Sequence, residues 1–557
     1  MPGRPRCPGP ASDAGTIAVP MYAREAFTDD ESAKLRPYFT NLDEPVFALT
    51  NLPEVVKGAL FARYSRSDKS LRRLFLDEFV PDLDLTGDLT VDATVGLRRA
   101  EDLYDRVFLE YGDDSVAQLG GVHLACEQAS NLLTKVLEWG RLMAYLEQST
   151  RYIPYDSRLE GRYRYHRPPA VVGSRLGARY VGDLDGLFDA YRALLPRLTD
   201  WARERYPNEP GVSDFVYKQS IKAKACDSVR GILPAATLSN VGIYGTGQAF
   251  ESLLLRMRAH PLPEAQTYAD DMLRELRKVI PSFLTRVDRP DRGGAWVEYL
   301  RATGSQTAEI IEQLFGREPS AGASAPAGPQ VRLLDFDPDG EDKVLTAIAF
   351  AHSGRPEAEL RAEVRRLGAD ERVAMFRAYV GDRSNRRHKP GRAFERTDYR
   401  FEILGDYGAF RDLQRHRMLT IEWQPLTPRH GYDVPESVDE ADAAGPFHAA
   451  MQTSADLYDA LQTEFPVEAG YAVSLAYRIR YVMQMNAREA MHLVELRSAR
   501  AGHPSYRTIA QQMHSQIADV AGHRSIAEAM RHVDHETYEL ERLEAEQAAE
   551  RRRLAGT

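Results

Sequence analysis

Tyr145-Leu146-Glu147-Gln148-Ser149-Thr150-Arg151-Tyr152 sets a carboxylate, a hydroxyl and a guanidinium at every second position. In extended backbone alternate side chains share a face, so Glu147, Ser149 and Arg151 are expected to point the same way. Such a row offers an acceptor for a ring N–H, a hydroxyl, and a planar fork suited to phosphate, which is the chemistry of a nucleoside monophosphate reader. By themselves the same residues also describe a solvated strand with a surface Glu/Arg pair.

Upstream, residues 122–141 carry a helical pattern whose apolar stripe, Leu132, Val136 and Trp139, is expected to be core. Downstream, Ile153-Pro154 stops regular structure. Further helical patterns run over about 31–79, 95–111, 181–205, 214–230, 248–258 and 265–279. Ala62 to Ser67 combines Arg63 and Arg66 with hydroxyls, either an anion site or a helix end with solvated arginines.

The chain has 557 residues, too many for one ordinary domain. Its 72 Lys+Arg against 82 Asp+Glu give a formal charge of -10, which excludes a general nucleic-acid coat and leaves any phosphate site to a local pocket. Cys7, Cys126 and Cys226 form no CxxC pair, so no disulfide framework or cysteine zinc site is expected, and a reducing, cytoplasmic setting follows. Mean hydropathy is -0.45, and no apolar run approaches the roughly 18 residues of a membrane span. Residues 1–20 read as a disordered tail without a signal-peptide core, and residues 316–330, rich in Ala, Gly, Ser and Pro, as a flexible linker. Two domains, 21–315 and 331–557, remain.

The second half restarts with a buried strand or helix start over 344–351, then a helical pattern over 360–377, a strand over 399–403 and a helix from Tyr407 that delivers Gln414-Arg415-His416-Arg417. Its opening elements echo those of the first half, which points to internal duplication. Residues 471–500 read as strongly helical. Asn486 and Arg497 would then lie three turns apart on one face, with Arg488 and His492 as an i,i+4 pair beside them. Residues 517–554 are helical again and end in a charge-dense, solvated stretch.

These motifs resemble the flavin-dependent thymidylate synthases, whose signature is Arg-His-Arg followed by Glu-x-Ser-x-Arg. Glu147, Ser149 and Arg151 match the second part in the first half, where Trp139, Gly140 and Arg141 replace the first part. Arg415, His416 and Arg417 match the first part in the second half, where Trp423, Pro425 and Thr427 replace the second. Arg230, ahead of Leu233-Pro234, is similar to a family arginine that contacts nucleotide phosphate. The family's flavin-contacting helix resembles Asn486, Arg488, His492, Leu496-Arg497 and His503; the first half has Gly247, Ala249, Leu253 and Met257-Arg258 there, so only Arg258 survives. His388 and Glu395 resemble the family's upstream His and Glu, replaced by Asp113 and Gln118 in the first half.

The resemblance implies an α+β fold of two tandem helix-rich domains, each with a small, mainly antiparallel sheet. It implies a composite site in which Glu147, Gln148, Ser149, Arg151 and Arg230 hold dUMP, and His388, Glu395, Arg415, His416, Arg417, Asn486, Arg488, His492 and His503 hold FAD. Arg497 or Arg258 would polarise the pyrimidine, with NADPH and methylenetetrahydrofolate as co-substrates. Family members are homotetramers, so a fused tandem would form a homodimer equivalent to a pseudo-tetramer, with no nucleic-acid or membrane partner. Two other outcomes fit the same pattern: a degenerate nucleotide- or flavin-binding protein, and a related flavin enzyme acting on another pyrimidine nucleotide.

Overall fold

The computed structural model describes residues 25–39, 41–43, 49–54, 56–57, 60, 69–80, 118, 120–151, 153–159, 161–316 and 329–555. The turn with Arg63 and Arg66, the helix expected over 95–111, Asp113 and the body of the expected linker lie outside them.

The chain divides into two compact units. One comprises residues 1–122, 246–248 and 275–285, the other residues 123–245, 249–274 and 286–557. In the smaller unit, helix α1 (Asp29–Leu35) starts at a capping box in which Thr28 and Glu31 satisfy each other's backbone N–H groups, and Ser70 caps α2 (Leu71–Glu78). Leu35, Phe39, Leu74 and Phe75 form its core.

The rest of the chain holds, twice over, a strand–helix–strand run and, after intervening helix, a strand–helix–helix run, and the second copy adds a leading strand. In the first copy it runs β1 (Gly121–Ser130), α3 (Asn131–Leu137), β2 (Met143–Glu147), α4 (Gly177–Arg205), α5 (Asp214–Val229), β3 (Leu238–Thr246), α6 (Gly247–Ala259) and α7 (Pro263–Leu276). In the second it runs β4 (Gln330–Phe336), β5 (Asp398–Asp406), α8 (Tyr407–Leu413), β6 (Thr420–Trp423), α9 (Ala444–Leu461), β7 (Arg478–Asn486), α10 (Ala487–Arg497) and α11 (Pro504–Asp519). The sheets have orders β1-β3-β2 and β4-β5-β7-β6, and β2–β3, β4–β5, β5–β7 and β6–β7 pair antiparallel. The α+β expectation therefore holds.

The repeat is kept to the residue. Helices α3 and α8 are both seven residues long and are capped by Ser130 and Asp406, whose side chains accept from Leu133 N and Ala409 N. Glu147 pairs with Val241 in β3, and Trp423 with Tyr481 in β7. The copies meet through their backbones: Ala235 N donates to Val473 O (2.8 Å), and Leu475 N donates to Leu233 O (2.9 Å). These reciprocal bonds relate the copies by a local two-fold axis.

Two expected helices are strands for much of their length. Residues 121–130 form β1, leaving only α3 as helix before the signature stretch, and residues 478–486 form β7. Both segments are apolar enough to suit either periodicity, and sheet pairing overrides local propensity. The expected core stripe is also displaced: Leu133 and Leu137 are fully buried, whereas Trp139 is 44% exposed. No helix among the described residues is long and apolar enough to cross a membrane.

Candidate functional site

Strand β2 ends at Glu147, and the expected alternation ends with it. Ile153 N donates to Ser149 O (3.2 Å) and Arg151 N to Ser149 Oγ (3.3 Å), so residues 149–153 curl into a turn. Glu147 is buried and accepts from Arg411 Nη2 (2.5 Å) and Lys135 Nζ (3.3 Å). Burial would raise its carboxyl, but Arg411, Lys135 and Arg415 outweigh that and hold it well below the usual range.

Arg151 is equally committed. Its Nε and Nη2 grip both oxygens of Asp227 at 2.8 and 2.7 Å, and Nη1 donates to Tyr506 Oη (2.8 Å). Although burial opposes ionisation of Asp227, Arg151 keeps it charged far below the ordinary aspartate value.

Arg230 is different. It caps the end of α5, is 4% exposed, and its Nη2 has no hydrogen-bond partner. The Nε atoms of Arg411 and Arg415 are likewise buried and unsatisfied, although Arg415 also pairs with Asp412. Such donors are expensive to bury without an acceptor, which makes them a signature of a place built for an anion.

All of these groups meet in a cavity of about 330 Å³. Glu147, Gln148, Ser149, Arg151 and Arg230 enter from the first copy, and Arg411, Asp412, Arg415 and Tyr506 from the second. Its lining carries five arginines (151, 230, 411, 415 and 542) and two carboxylates (Glu147 and Asp412), a surplus of positive charge. The composite arrangement closes within one chain. Sequence reasoning missed Arg411, Asp412, Asp227 and Tyr506. Arg411 was detectable as the residue four before Arg415, on the same helical side.

The remaining second-copy residues gather nearby but play mixed parts. His416 Nε2 accepts from Arg497 Nε (3.0 Å), and its Nδ1 lies 3.1 Å from Glu489 Oε1. Burial and the surrounding cations push this imidazole well below its ordinary value, so it is neutral and Nδ1–H donates to Glu489. Burial also lowers His492, to about 4. His416, Glu489 and His492 bring ligand atoms within 4.8 Å of one another. Lys389 and Arg497 add positive charge there, which disfavours a cation and suits an anion.

Arg488 donates to Pro390 O (3.0 Å) and Glu395 Oε1 (3.3 Å), while Arg417 donates to Met143 O. His388 bonds Ser384 and Asn385. Asn486 and His503 serve as helix caps, accepting from Glu489 N (3.0 Å) and Ser505 N (3.3 Å). His503 lines an adjoining cavity of about 600 Å³, beside Asp406, which shares Arg230 and Gly408 with the first. Asn486 therefore does not share a helix face with Arg497: it closes β7 and caps the helix that Arg497 ends. Among the described residues, Arg497 approaches the composite cavity through Asp412 (3.7 Å) and the Tyr506 ring (5.6 Å).

Arg258 is not brought to the cavity. It pairs with Asp270 (2.7 Å) and Asp288 (2.5 Å). Strand β3 ends at Thr246 as β7 ends at Asn486, so the first-copy counterpart of Arg497 is Met257 and not Arg258.

The reciprocal composite position is filled by apolar rings. Trp139 stands where Arg415 stands, Trp423 stands where Glu147 stands, and the two indoles meet edge to face at 5.4 Å. An ion-pair contact in one composite site is thus an aromatic contact in the other.

The thymidylate synthase complementing protein family profile matches residues 67–282 and again 332–522. A UPF0159 protein of Chlamydia muridarum is 39% identical over 94% of this chain and 99% of its own length. A UPF0159 protein of Thermoplasma acidophilum is 32% identical over 88% and 97%. Among solved structures, the UMP/dUMP methylase PolB from Streptomyces cacaoi bound with 5-Br dUMP is 17% identical, with a TM-score of 0.31 over 37% of this chain and 96% of that one.

Proposed function

Because the chain belongs to the thymidylate synthase complementing protein family, we propose that the 330 Å³ cavity binds dUMP. We further propose that the protein makes dTMP from it, with FAD as cofactor and methylenetetrahydrofolate as one-carbon donor. The observation that carries this reading is the meeting of five arginines from both copies, 151, 230, 411, 415 and 542, with two carboxylates in the lining of one cavity. A phosphate dianion offsets the surplus of positive charge. Gln148 can donate and accept, which matches the amide edge of uracil, and Ser149 adds a hydroxyl.

Arg151, locked by Asp227 and Tyr506, fixes one wall of the cavity. Arg497 is a positioning residue that holds His416, Asp412 and Tyr506 in place. The cationic residues Arg417, Arg488 and Lys389, with His492, suit the diphosphate of FAD, whereas Asn486 and His503 already spend their side chains as caps. A flavin held there would, once reduced by NADPH, supply the hydride. A protein nucleophile has no part: burial pushes the thiols of Cys126 and Cys226 up to about 12 and about 11. The protein works in the cytoplasm as a homodimer, equivalent to a pseudo-tetramer of copies.

The test is reconstitution with FAD, followed by dUMP. A yellow holoprotein is expected whose reduced flavin reoxidises at a different rate when dUMP is present. Ser149→Ala should abolish that response with flavin still bound. A protein that takes up neither ligand contradicts the proposal. A second reading, binding without turnover, is favoured by the use of Asn486 and His503 as caps and by Met257 at the Arg497 position. Failure to release the proton from uracil C5 in a holoprotein that binds dUMP selects it.

A further inference from the structure

The family match ends at residue 522, and the chain runs on to Thr557. Residues 534–555 fold back across both copies. On the second-copy side, Asp534 N donates to Ser498 Oγ (3.0 Å) and Arg507 Nη2 to Glu536 O (2.9 Å), while Arg500 and Arg507 lie over the Tyr538 ring at 4.4 and 4.9 Å. On the first-copy side, Lys224 Nζ in α5 donates to Glu541 Oε1 (2.9 Å), and Ser213 Oγ at its cap donates to Glu550 Oε1 (2.6 Å). Between these anchors stands Arg542, which is buried and lines the nucleotide cavity with Arg230. Its neighbours Glu536, Tyr538 and Glu541 line the adjoining cavity, and so does Arg230. The segment therefore reaches the nucleotide cavity on its Arg230 side.

Arg151, Arg411 and Arg415 already hold carboxylates, those of Asp227, Glu147 and Asp412, so much of their charge is offset within the protein. A phosphate monoester is a dianion with three terminal oxygens, more than the single fork of Arg230 can cover. We propose that Arg542 is the second fork: a phosphate-binding residue supplied by the C-terminal segment, from outside the family match, and held beside Arg230 by anchors on both copies. The inference rests on the reading of this cavity as the dUMP site. The anchor next to Arg542 is suited to the task. Lys224 and Glu541 are only 15% and 7% exposed, so solvent screens this ion pair less than a surface one, and it fixes the chain one residue before the guanidinium. A buried arginine that merely packed the segment down would need its bulk and not its charge.

The test is calorimetric titration of the full chain with dUMP, comparing the wild type with Arg542→Met and Arg542→Lys. Arg542→Met keeps the apolar bulk, removes the charge, and should weaken dUMP on the order of tenfold or more. Arg542→Lys keeps the charge without the fork and should recover part of that loss. A packing role predicts the reverse order or no difference, and either result overturns the proposal. Should Arg542→Met fail to fold, Glu541→Gln loosens the anchor beside it and is expected to weaken dUMP severalfold; unchanged affinity there also overturns the proposal. The two levels of the account fail separately. A wild type that binds no dUMP removes the reading of the cavity and this inference with it. A wild type that binds dUMP no better than Arg542→Met removes this inference alone.

Discussion

At the level of single residues, the contrast between Glu147 and Trp423 explains how a duplicated chain keeps one site and closes another. Glu147 is buried between Arg411 and Lys135, so removing Arg411 strands a carboxylate. Arg411→Met is expected to destabilise the fold by about 3–5 kcal/mol in denaturant titration, and Glu147→Gln in the same chain should restore part of the loss. At the mirror position, a double-mutant cycle on Trp139 and Trp423 should give a coupling of about 0.5–1.5 kcal/mol, independent of salt. His492 carries a pH signature. Its folded value, about 4, lies below that of the unfolded chain. The unfolded state therefore binds the extra proton first, and the stability His492 allows at neutral pH is lost as pH falls from about 6.5 towards 4. Melting temperatures of His492→Asn should fall less than those of the wild type across that window. Equal slopes would show that His492 does not titrate as described.

Glycine 408 links the elements to the site. It lies in α8, where a Cβ would meet Asp406 Oδ1 at 3.0 Å and Arg230 Nη2 at 3.2 Å. Alanine is favoured over glycine within a helix by about 0.5–1 kcal/mol. Gly408→Ala should therefore leave the melting temperature unchanged or raised while lowering dUMP affinity, because the guanidinium must shift away from the capping carboxylate. The helices behind this geometry were legible in the sequence: 181–205, 214–230 and 248–258 match α4, α5 and α6 closely. The strands were not: β7 alternates, with Ile479, Tyr481, Met483 and Met485 buried between more exposed neighbours, but the helical pattern that follows was extended back over it, and β1 alternates too irregularly to stand out. That error carried into the site. Reading 471–500 as one helix gave Asn486 a binding face, when its position at a strand end makes it a cap. Arg411 and Asp227 were invisible for a different reason: their roles exist only through partners that are 264 and 76 residues away.

For the whole molecule, the duplication brings both walls of the cavity into one chain. Glu147 and Arg151 meet Arg411, Arg415 and Tyr506 without any second copy of the protein. Mixing an Arg230→Ala chain with an Arg415→Ala chain should therefore not restore nucleotide binding, even where the chains form mixed dimers. Restoration would mean that the site is assembled across chains. The family and the split of its signature were readable from the sequence because complementary losses in two copies leave a pattern that single-residue decay does not. What the sequence left open was whether the two walls face each other in one chain, and the reciprocal backbone bonds between residues 233–235 and 473–475 answer that. The most direct measurement of this account is calorimetric titration of the purified protein with dUMP. It predicts one site per chain, lost in Arg230→Ala and equally in Arg415→Ala. Two sites per chain, or binding that survives the changes in either half, would contradict it.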